Sequence, residues 1–279
     1  MRRPLSSLNP VFYFIIVKLR RLKRYLEWAA KYRRLAKTIS REPLKYRVYK
    51  HQSVLIRKLG SSDISLQYNK VENLTIAIQR LNGILIKPRE IFSFCYLVGS
   101  TTKRKGYLDG MLLLNGEAIA GVGGGLCQIA NLIHWLSLHS PLTVTERHHH
   151  AFDPFPDEGR VVPFGSGATV FYNYLDYQLT NNTDRTFQLL FWLDDKCLNG
   201  DLRIDAELPY KYHVFEKNHQ FVKVGESFYR RNELWRDKYN KKGQGQAVVT
   251  EFIQKNDSLV KYVPDEFILE QVAGSVPAN

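Results

Sequence analysis

The chain has 279 residues, of which 44% are hydrophobic, 13% aromatic and 24% charged, a composition that excludes a largely disordered or fibrous protein. Its formal net charge of +13 comes from residues 1–50, which hold 15 Lys and Arg residues and two acidic ones. The remaining residues balance 25 basic against 25 acidic side chains, so we expect a neutral domain with a basic arm rather than a nucleic-acid-binding surface.

The basic arm begins with a short apolar segment. The apolar run at 11–17 follows Arg2 and Arg3, but it is shorter than the roughly 18 residues of a membrane span. No small-residue cleavage site of a signal peptide follows it. These features predict a cytoplasmic protein, peripheral at the inner membrane leaflet, without a cleaved signal peptide or a transmembrane span.

The rest of the arm is predicted to be an amphipathic helix. From Leu19 to Ile39, apolar residues recur at helical spacing and basic residues lie between them. Residues 11–39 are therefore suited to bind an anionic membrane surface. The alternative is that the apolar stripe packs on the domain and the charges are solvated.

The next part of the chain alternates short helical and strand-like segments. A helix is predicted over 71–81, ending at Asn82-Gly83. The dipeptide Asn115-Gly116 predicts a hairpin. Short strand patterns occur at 84–86, 91–94, 111–114 and 117–120.

The most informative segment is a glycine-rich loop that leads into a helix. Gly123, Gly124 and Gly125 precede Cys127, and apolar residues at 129–136 then share one helical face. A helix N-terminus offers unpaired N–H groups and a partial positive charge, which favour a thiolate and suit an oxyanion. Cys127 is therefore a candidate nucleophile; the alternative is a loop that serves chain geometry beside an inert thiol.

Histidines follow this helix where a strand could return beside Cys127. A strand predicted over 142–150 puts His148 and His150 on one face. Either imidazole would then serve as the base for Cys127, with Asp176 orienting it. Cys127, His148 and His150 would also supply three zinc ligands, but no fourth ligand or HExxH spacing supports this, so no metal or other cofactor is expected.

The rest of the chain is predicted to be rich in strands. Strand patterns occur at 168–171, 174–179 and 187–193. Residues 208–263 contain many aromatic side chains, which we expect to be buried rather than to stack on sugars. The predicted fold is α+β in three parts: a basic helical arm (1–50), a mixed α/β domain with the Cys-bearing helix and mostly antiparallel strands (51–200), and a strand-rich C-terminal extension (201–279).

With these motifs the chain resembles the VanW family. The shared elements are GGGLCQ at 123–128, ERHHH at 146–150, GATV at 167–170, Asp176, and NNT at 181–183. Shorter matches extend the likeness to about residues 68–195, and the arm and C-terminal part are similar to a family member associated with glycopeptide resistance. One departure is Arg89, since relatives usually have Gly after the preceding proline.

The resemblance implies an accessory role in vancomycin resistance, with peptidoglycan or its precursors as the partner. Some relatives are regarded as cysteine-dependent L,D-transpeptidases, which implies Cys127 as the nucleophile and His148 or His150 as its base. The shared motifs imply these substrate-binding residues: Gly123, Gly124, Gly125, Gln128, Glu146 and Arg147. Two alternatives stay open, a non-catalytic membrane-surface protein that binds a cell-wall precursor or a resistance partner, and a zinc-dependent hydrolase.

Overall fold

The computed structural model describes residues 10–57, 63–114, 117–149, 152–156, 161–173, 175–243, 245–265 and 267. The helices in this part of the chain are α1 (Pro10–Ala30), α2 (Ser65–Leu81), α3 (Phe94–Val98) and α4 (Cys127–Leu138). The strands are β1 (Tyr46–Val54), β2 (Ile84–Ile86), β3 (Ile91–Ser93), β4 (Asp109–Leu114), β5 (Glu117–Val122), β6 (Thr143–Glu146), β7 (Phe152–Asp153), β8 (Gln178–Thr180), β9 (Phe187–Leu193), β10 (Cys197–Ile204), β11 (Tyr210–Val224), β12 (Ser227–Asn240) and β13 (Ala247–Val260).

The strands form four sheets within the described residues. The sheet β1-β10-β9-β2 and the smaller sheet β3-β8-β6 are antiparallel, and β4 and β5 form a hairpin. The long strands β11, β12 and β13 form an antiparallel C-terminal sheet, to which β7 adds as a parallel neighbour of β13. The predicted α+β class with mostly antiparallel strands is therefore confirmed. The predicted boundary at residue 50 falls inside β1.

The main hydrophobic core joins α2 and α4 to the β1-β10-β9-β2 sheet. Leu74 and Leu81 of α2 are fully buried, two helical turns apart on one face. Ile129, Ile133 and Leu136 of α4 are equally buried in the same core. This packing fixes the direction of α4 and holds its first residue at the edge of the core.

Local sequence signals placed several element ends correctly. Helix α2 ends at Leu81, and Gly83 adopts φ +86°, a left-handed conformation that suits glycine. Helix α4 begins at Cys127. Strands β4 and β5 pair on either side of Asn115-Gly116, the turn residues themselves lying outside the described part of the chain.

Some predicted strands are shorter than expected or absent. The strand predicted over 142–150 is limited to β6, because its partner β8 offers a ladder of three residues. The segment 168–171 forms isolated bridges instead of a strand, Thr169 with His148 and Phe171 with Leu175. Residues 168–171 therefore form an irregular segment whose backbone is hydrogen-bonded to its neighbours at two positions.

Arg89 occupies a left-handed turn. Its φ is +65°, where an L side chain is strained and glycine is not. Its N–H donates to the carbonyl of Asn181 (2.8 Å), and its own carbonyl accepts from Arg34 Nε (3.2 Å). The turn is therefore fixed by its neighbours, and a glycine would suit the same backbone.

The aromatic residues of the C-terminal sheet are less buried than predicted. Val214, Leu234 and Val260 are buried, whereas the aromatic residues at 210–239 are half-buried and Phe252 is 53% exposed. A single sheet that packs on a core with one face leaves its other face in water. The expected burial of the aromatic residues is therefore only partial in this sheet.

The arm helix is shorter than the predicted amphipathic segment. Helix α1 ends at Ala30, and a 3-10 turn at Tyr32–Arg34 leads to Leu35, which forms a bridge with Ile91. Leu35 and Ala36 are buried in the core. Among the described residues, we find no helix with the length and apolarity needed to cross a bilayer.

Candidate functional site

The glycine loop before α4 is built for close packing. A Cβ at Gly124 would lie 2.2 Å from the carbonyl group of Gly110 in β4, and one at Gly125 would lie 2.2 Å from the Lys70 side chain. Gly123 and Gly125 also adopt positive φ angles of +77° and +90°. The contacts of these three glycines, predicted to bind substrate, are with the protein itself.

Two side chains anchor this loop and the first turn of α4. Asn73 of α2 is fully buried, and its Nδ2 donates to the carbonyls of Gly124 (2.9 Å) and Leu108 (3.1 Å). Gln128, a predicted substrate-binding residue, donates from Nε2 to Ser53 Oγ (3.0 Å) and to the carbonyl of Val54 (2.8 Å). Gln128 therefore joins α4 to the end of β1.

Cys127 is half-buried at the start of α4, and its thiol donates to the carbonyl of Val170 at 3.9 Å. Burial raises the pKa of the Cys127 thiol, and hydrogen bonds to the backbone of Val170 and of Cys127 itself lower it only in part. The pKa of the Cys127 thiol is therefore above its ordinary value in this conformation, whereas the helix N-terminus led us to expect a lowered one. Leu126, the N-cap residue, has no side-chain capping bond, which leaves the first-turn amides without that partner.

The imidazole of His148 lies beside a carboxylate. His148 Nε2 is 3.0 Å from Glu146 Oε1, and the His148 carbonyl accepts from the N–H of Thr169 (2.7 Å), next to Val170. Within the described residues, the Cys127 thiol has no hydrogen bond to an imidazole. His150 lies outside those residues. The Cys–His pair therefore stays a prediction.

Asp176 does not contact a histidine among the described residues. Its buried carboxylate accepts from Ser93 Oγ (2.5 Å), the N–H of Cys95 (2.8 Å), the N–H of Tyr177 (2.8 Å) and Gln178 Nε2 (3.0 Å). Burial raises the pKa of Asp176, although several of these hydrogen bonds lower it in part. Asp176 therefore ties β3, α3 and β8 together, and the carboxylate that meets His148 belongs to Glu146.

Glu146 connects the site to the N-terminal arm. Arg24 of α1 donates to both of its oxygens, at 2.5 and 2.6 Å, in a bidentate pair. Burial alone would raise the pKa of Glu146, but hydrogen bonds from Arg24 and His148 bring it below the ordinary value. No local pattern in the sequence points to this contact, because Arg24 lies 122 residues away from Glu146.

Arg147, another predicted substrate-binding residue, braces the neighbouring loop. Its Nε and one terminal nitrogen donate to the carbonyls of Gly167 (2.8 Å) and Gly165 (2.5 Å). Its other terminal nitrogen donates to Gln254 of β13. Arg147 therefore joins the domain to the C-terminal sheet through the segment that leads to Val170.

A cavity of about 550 Å³ adjoins this segment. Asn131, one helical turn after Cys127, and Thr169, next to Val170, both line it. His51, Trp135 and His149 contribute aromatic and polar surface. Asn131 escaped the sequence prediction, although its spacing of four residues from Cys127 puts both side chains on one helical face.

The zinc alternative finds no support among the residues that the structure describes. No group of three or more His, Cys, Asp or Glu side chains in that part of the chain is arranged to hold a metal ion. His150, the third predicted ligand, lies outside it.

Comparison with known proteins identifies the family. The family model for VanW like protein matches residues 69–203, which include Cys127, His148 and Asp176. The chain is 35% identical over 194 residues to the vancomycin B-type resistance protein VanW of Enterococcus faecalis (strain ATCC 700802 / V583), covering 70% of each chain. The chain belongs to the VanW family.

Other comparisons extend the picture of this VanW-family protein. It is 29% identical over 114 residues to the uncharacterized protein YoaR of Bacillus subtilis (strain 168), covering 40% of this chain and 36% of that protein. No solved structure matches it. The enterococcal relative associates the VanW family with vancomycin resistance. Arg24, which pairs with Glu146, lies outside the residues that the family model matches.

Proposed function

We propose that this VanW-family protein acts in peptidoglycan metabolism as a Cys127-dependent acyltransferase of the L,D-transpeptidase type. The observation that carries the proposal is the position of Cys127. Its side chain stands at the N-terminus of α4, one turn before Asn131, which lines the cavity of about 550 Å³, although Cys127 is not itself one of the lining residues. A nucleophile beside first-turn amides and a cavity for an acyl donor is the arrangement that acyl transfer needs.

In the proposed reaction, an imidazole takes the thiol proton and the Cys127 sulfur attacks an amide carbonyl of a cell-wall peptide. The C–N bond breaks, the leaving amine takes the proton, and a thioester remains on Cys127. The amine of a second peptide then attacks the thioester, forming a new amide and restoring the thiol. Because burial raises the pKa of this thiol, the reaction depends on a base.

The base is proposed to be His148 or His150. The contact between His148 and Glu146 supports His148, because a carboxylate stabilises the imidazolium that forms when the proton is taken. In this role Glu146 has the function first assigned to Asp176. His149 lines the cavity as a third imidazole.

Intact-protein mass spectrometry after incubation with a soluble stem peptide tests this function. We expect a covalent adduct on Cys127, its loss in Cys127→Ala, and its retention in Cys197→Ala, which removes a buried thiol elsewhere in the fold. His148→Gln should slow adduct formation at least tenfold, and by about 10²–10⁴-fold if it is the main base. A folded protein that forms no adduct with donor peptides or with a carbapenem would refute acyl transfer.

A second candidate function is non-catalytic binding of a cell-wall precursor. It is favoured by the Cys127 thiol, which donates to the carbonyl of Val170 and, among the described residues, has no hydrogen bond to an imidazole. This candidate predicts that Cys127→Ala keeps full glycopeptide resistance in a complementation assay. Loss of resistance in Cys127→Ala, with retention in Cys197→Ala, favours the acyltransferase.

A further inference from the structure

Helix α1 is attached to the domain by one face, which buries Trp28 in the hydrophobic core and also makes polar contacts. Arg24 pairs with Glu146, and the Tyr25 hydroxyl lies 2.9 Å from the hydroxyl of Tyr172. Arg21 donates to the Tyr172 carbonyl at 3.1 Å. Surface helices of globular proteins usually bury their apolar residues. In α1, Trp28 is buried in this way, whereas a second apolar row on the opposite side is exposed.

The opposite side of α1 presents a continuous apolar row to solvent. We call this row the α1 stripe; its residues are Phe12, Ile15, Leu19, Leu22 and Leu26. The alternating spacing of three and four residues puts all of them on one helical face. Each is between 45% and 63% exposed, and the row extends about 21 Å at 1.5 Å per residue.

Basic side chains surround the stripe. Seven exposed basic residues lie on α1 and the segment that follows it: Lys18, Arg20, Lys23, Lys31, Arg33, Arg34 and Lys37. Between residues 10 and 40 the acidic residue is Glu27, which pairs with Arg24 and Lys23. The surface that carries the stripe is therefore strongly positive.

We propose that the α1 stripe binds the surface of a membrane that contains anionic lipids. The apolar side chains would enter the boundary between headgroups and acyl chains, and the basic residues would meet the lipid phosphates. A second copy of the chain fits the surface less well, because two stripes in contact would bring two sets of seven basic residues together. This proposal is independent of Cys127 and goes beyond the proposed reaction.

Vesicle co-sedimentation of the full chain tests the proposal. The probes are phosphatidylcholine vesicles with and without about 30% phosphatidylglycerol, at about 100 mM and about 500 mM NaCl. We expect at least tenfold stronger partitioning to the anionic vesicles at low salt, and a clear decrease at high salt. The double variant Leu19→Glu/Leu22→Glu should lose at least tenfold of this partitioning.

The control variant Val224→Glu/Val248→Glu adds the same charge at two exposed apolar positions of the C-terminal sheet and should bind within about twofold of the wild type. If the stripe variant fails to fold, Lys18→Gln/Lys23→Gln provides the second test and should also lose tenfold or more. Equal binding of stripe and control variants overturns the proposal. So does equal binding to neutral and anionic vesicles, or a lipid-free dimer that the stripe variant dissociates.

Discussion

Replacing Arg24 with methionine should weaken the attachment of α1 to the domain, where Trp28 remains buried in the core, while the rest of the fold persists. Arg24 is the buried partner of Glu146, with 9% of its side chain exposed against 21% for Glu146. Its guanidinium also lies 3.0 Å from Glu27. Burial lowers the pKa of Arg24, but the hydrogen bond and charge of Glu146 and the charge of the buried Asp176 raise it above the ordinary value. Methionine keeps most of the side-chain volume and removes the charge and all donors.

The magnitude follows from the burial of the pair. Removing one member of a buried ion pair costs about 3–5 kcal/mol, since the other charge stays buried without its partner. Glu146 is partly exposed and keeps His148 and the N–H of Asp176, so we expect about 3 kcal/mol. That corresponds to about a 100-fold larger opening constant for α1.

Hydrogen–deuterium exchange measured by mass spectrometry reads this opening directly. Peptides from α1 should lose protection about 100-fold in Arg24→Met, while peptides from α4 keep theirs. The matched control is Lys23→Met on the same helix, whose exposed pair with Glu27 at 3.9 Å is worth less than about 1 kcal/mol. Equal protection of α1 in the two variants would refute the reasoning.

The same contact gives a pH dependence with a definite sign. The pKa of Glu146 is lowered in the folded protein, so its stabilising effect is complete above the unfolded value of about 4.3. The effect is lost as the pH falls through the lower folded value. The difference in α1 protection between wild type and Arg24→Met should therefore shrink in acid, and a difference that grows in acid would contradict this assignment.

Three further substitutions test the packing around the site by urea unfolding. Gly124→Ala should cost about 3 kcal/mol, because the added Cβ would clash with the backbone of Gly110. The control Gly243→Ala should change stability by less than about 0.5 kcal/mol. Equal effects of the two substitutions would contradict the packing role of Gly124. Burial and the charge of Arg57 lower the pKa of Lys70 to about 8 in the folded protein, below the unfolded value of about 10.4. The free energy of unfolding should therefore rise between about pH 8 and pH 10, by up to about 3 kcal/mol. Lys70→Met should remove that slope, and an unchanged slope would exclude Lys70 as its source. Arg89→Gly should stabilise the protein by about 1 kcal/mol by relieving a left-handed backbone, and a loss of stability would show that the Arg89 side chain matters more than the backbone.

The elements that the sequence predicted well depend on local signals. The end of α2 follows from Asn82-Gly83, and the start of α4 follows from the glycine loop before Cys127. Each signal lies within a few residues of the feature that it determines. The hairpin of β4 and β5 around Asn115-Gly116 has the same basis.

The state of the site depends on contacts between distant segments. The helix N-terminus at Cys127 is visible in the sequence, but the burial that raises the thiol pKa and the contact with the carbonyl of Val170, 43 residues away, are not. Asp176 follows the histidines in the order of a triad, yet the partners that hold its carboxylate include Ser93 and Cys95. The carboxylate that contacts His148 is that of Glu146. Both residues lie in the ERHHH motif, but the motif does not indicate that their side chains contact each other.

The arm shows most clearly why periodicity alone was insufficient. Apolar spacing identified one face of the helix, and the alternatives were a membrane or the domain itself. The opposite face contacts the domain, through Trp28 in the core and through the pair of Arg24 with Glu146, a partner that no helical pattern can reveal. Periodicity thus identifies which residues share a face, whereas the direction of that face depends on tertiary contacts.

Because Arg24 and the α1 stripe lie on opposite faces of one helix, the two proposals can be separated by experiment. Leu19→Glu/Leu22→Glu changes exposed positions and should leave the contact between Arg24 and Glu146 intact. With a soluble donor peptide, this variant should form the Cys127 adduct at the wild-type rate. Arg24→Met removes the partner of the carboxylate that meets His148, so it should slow adduct formation even without a membrane. If both variants slow the reaction with a soluble donor equally, α1 acts on the site as a whole, and the separation of its faces has no functional consequence.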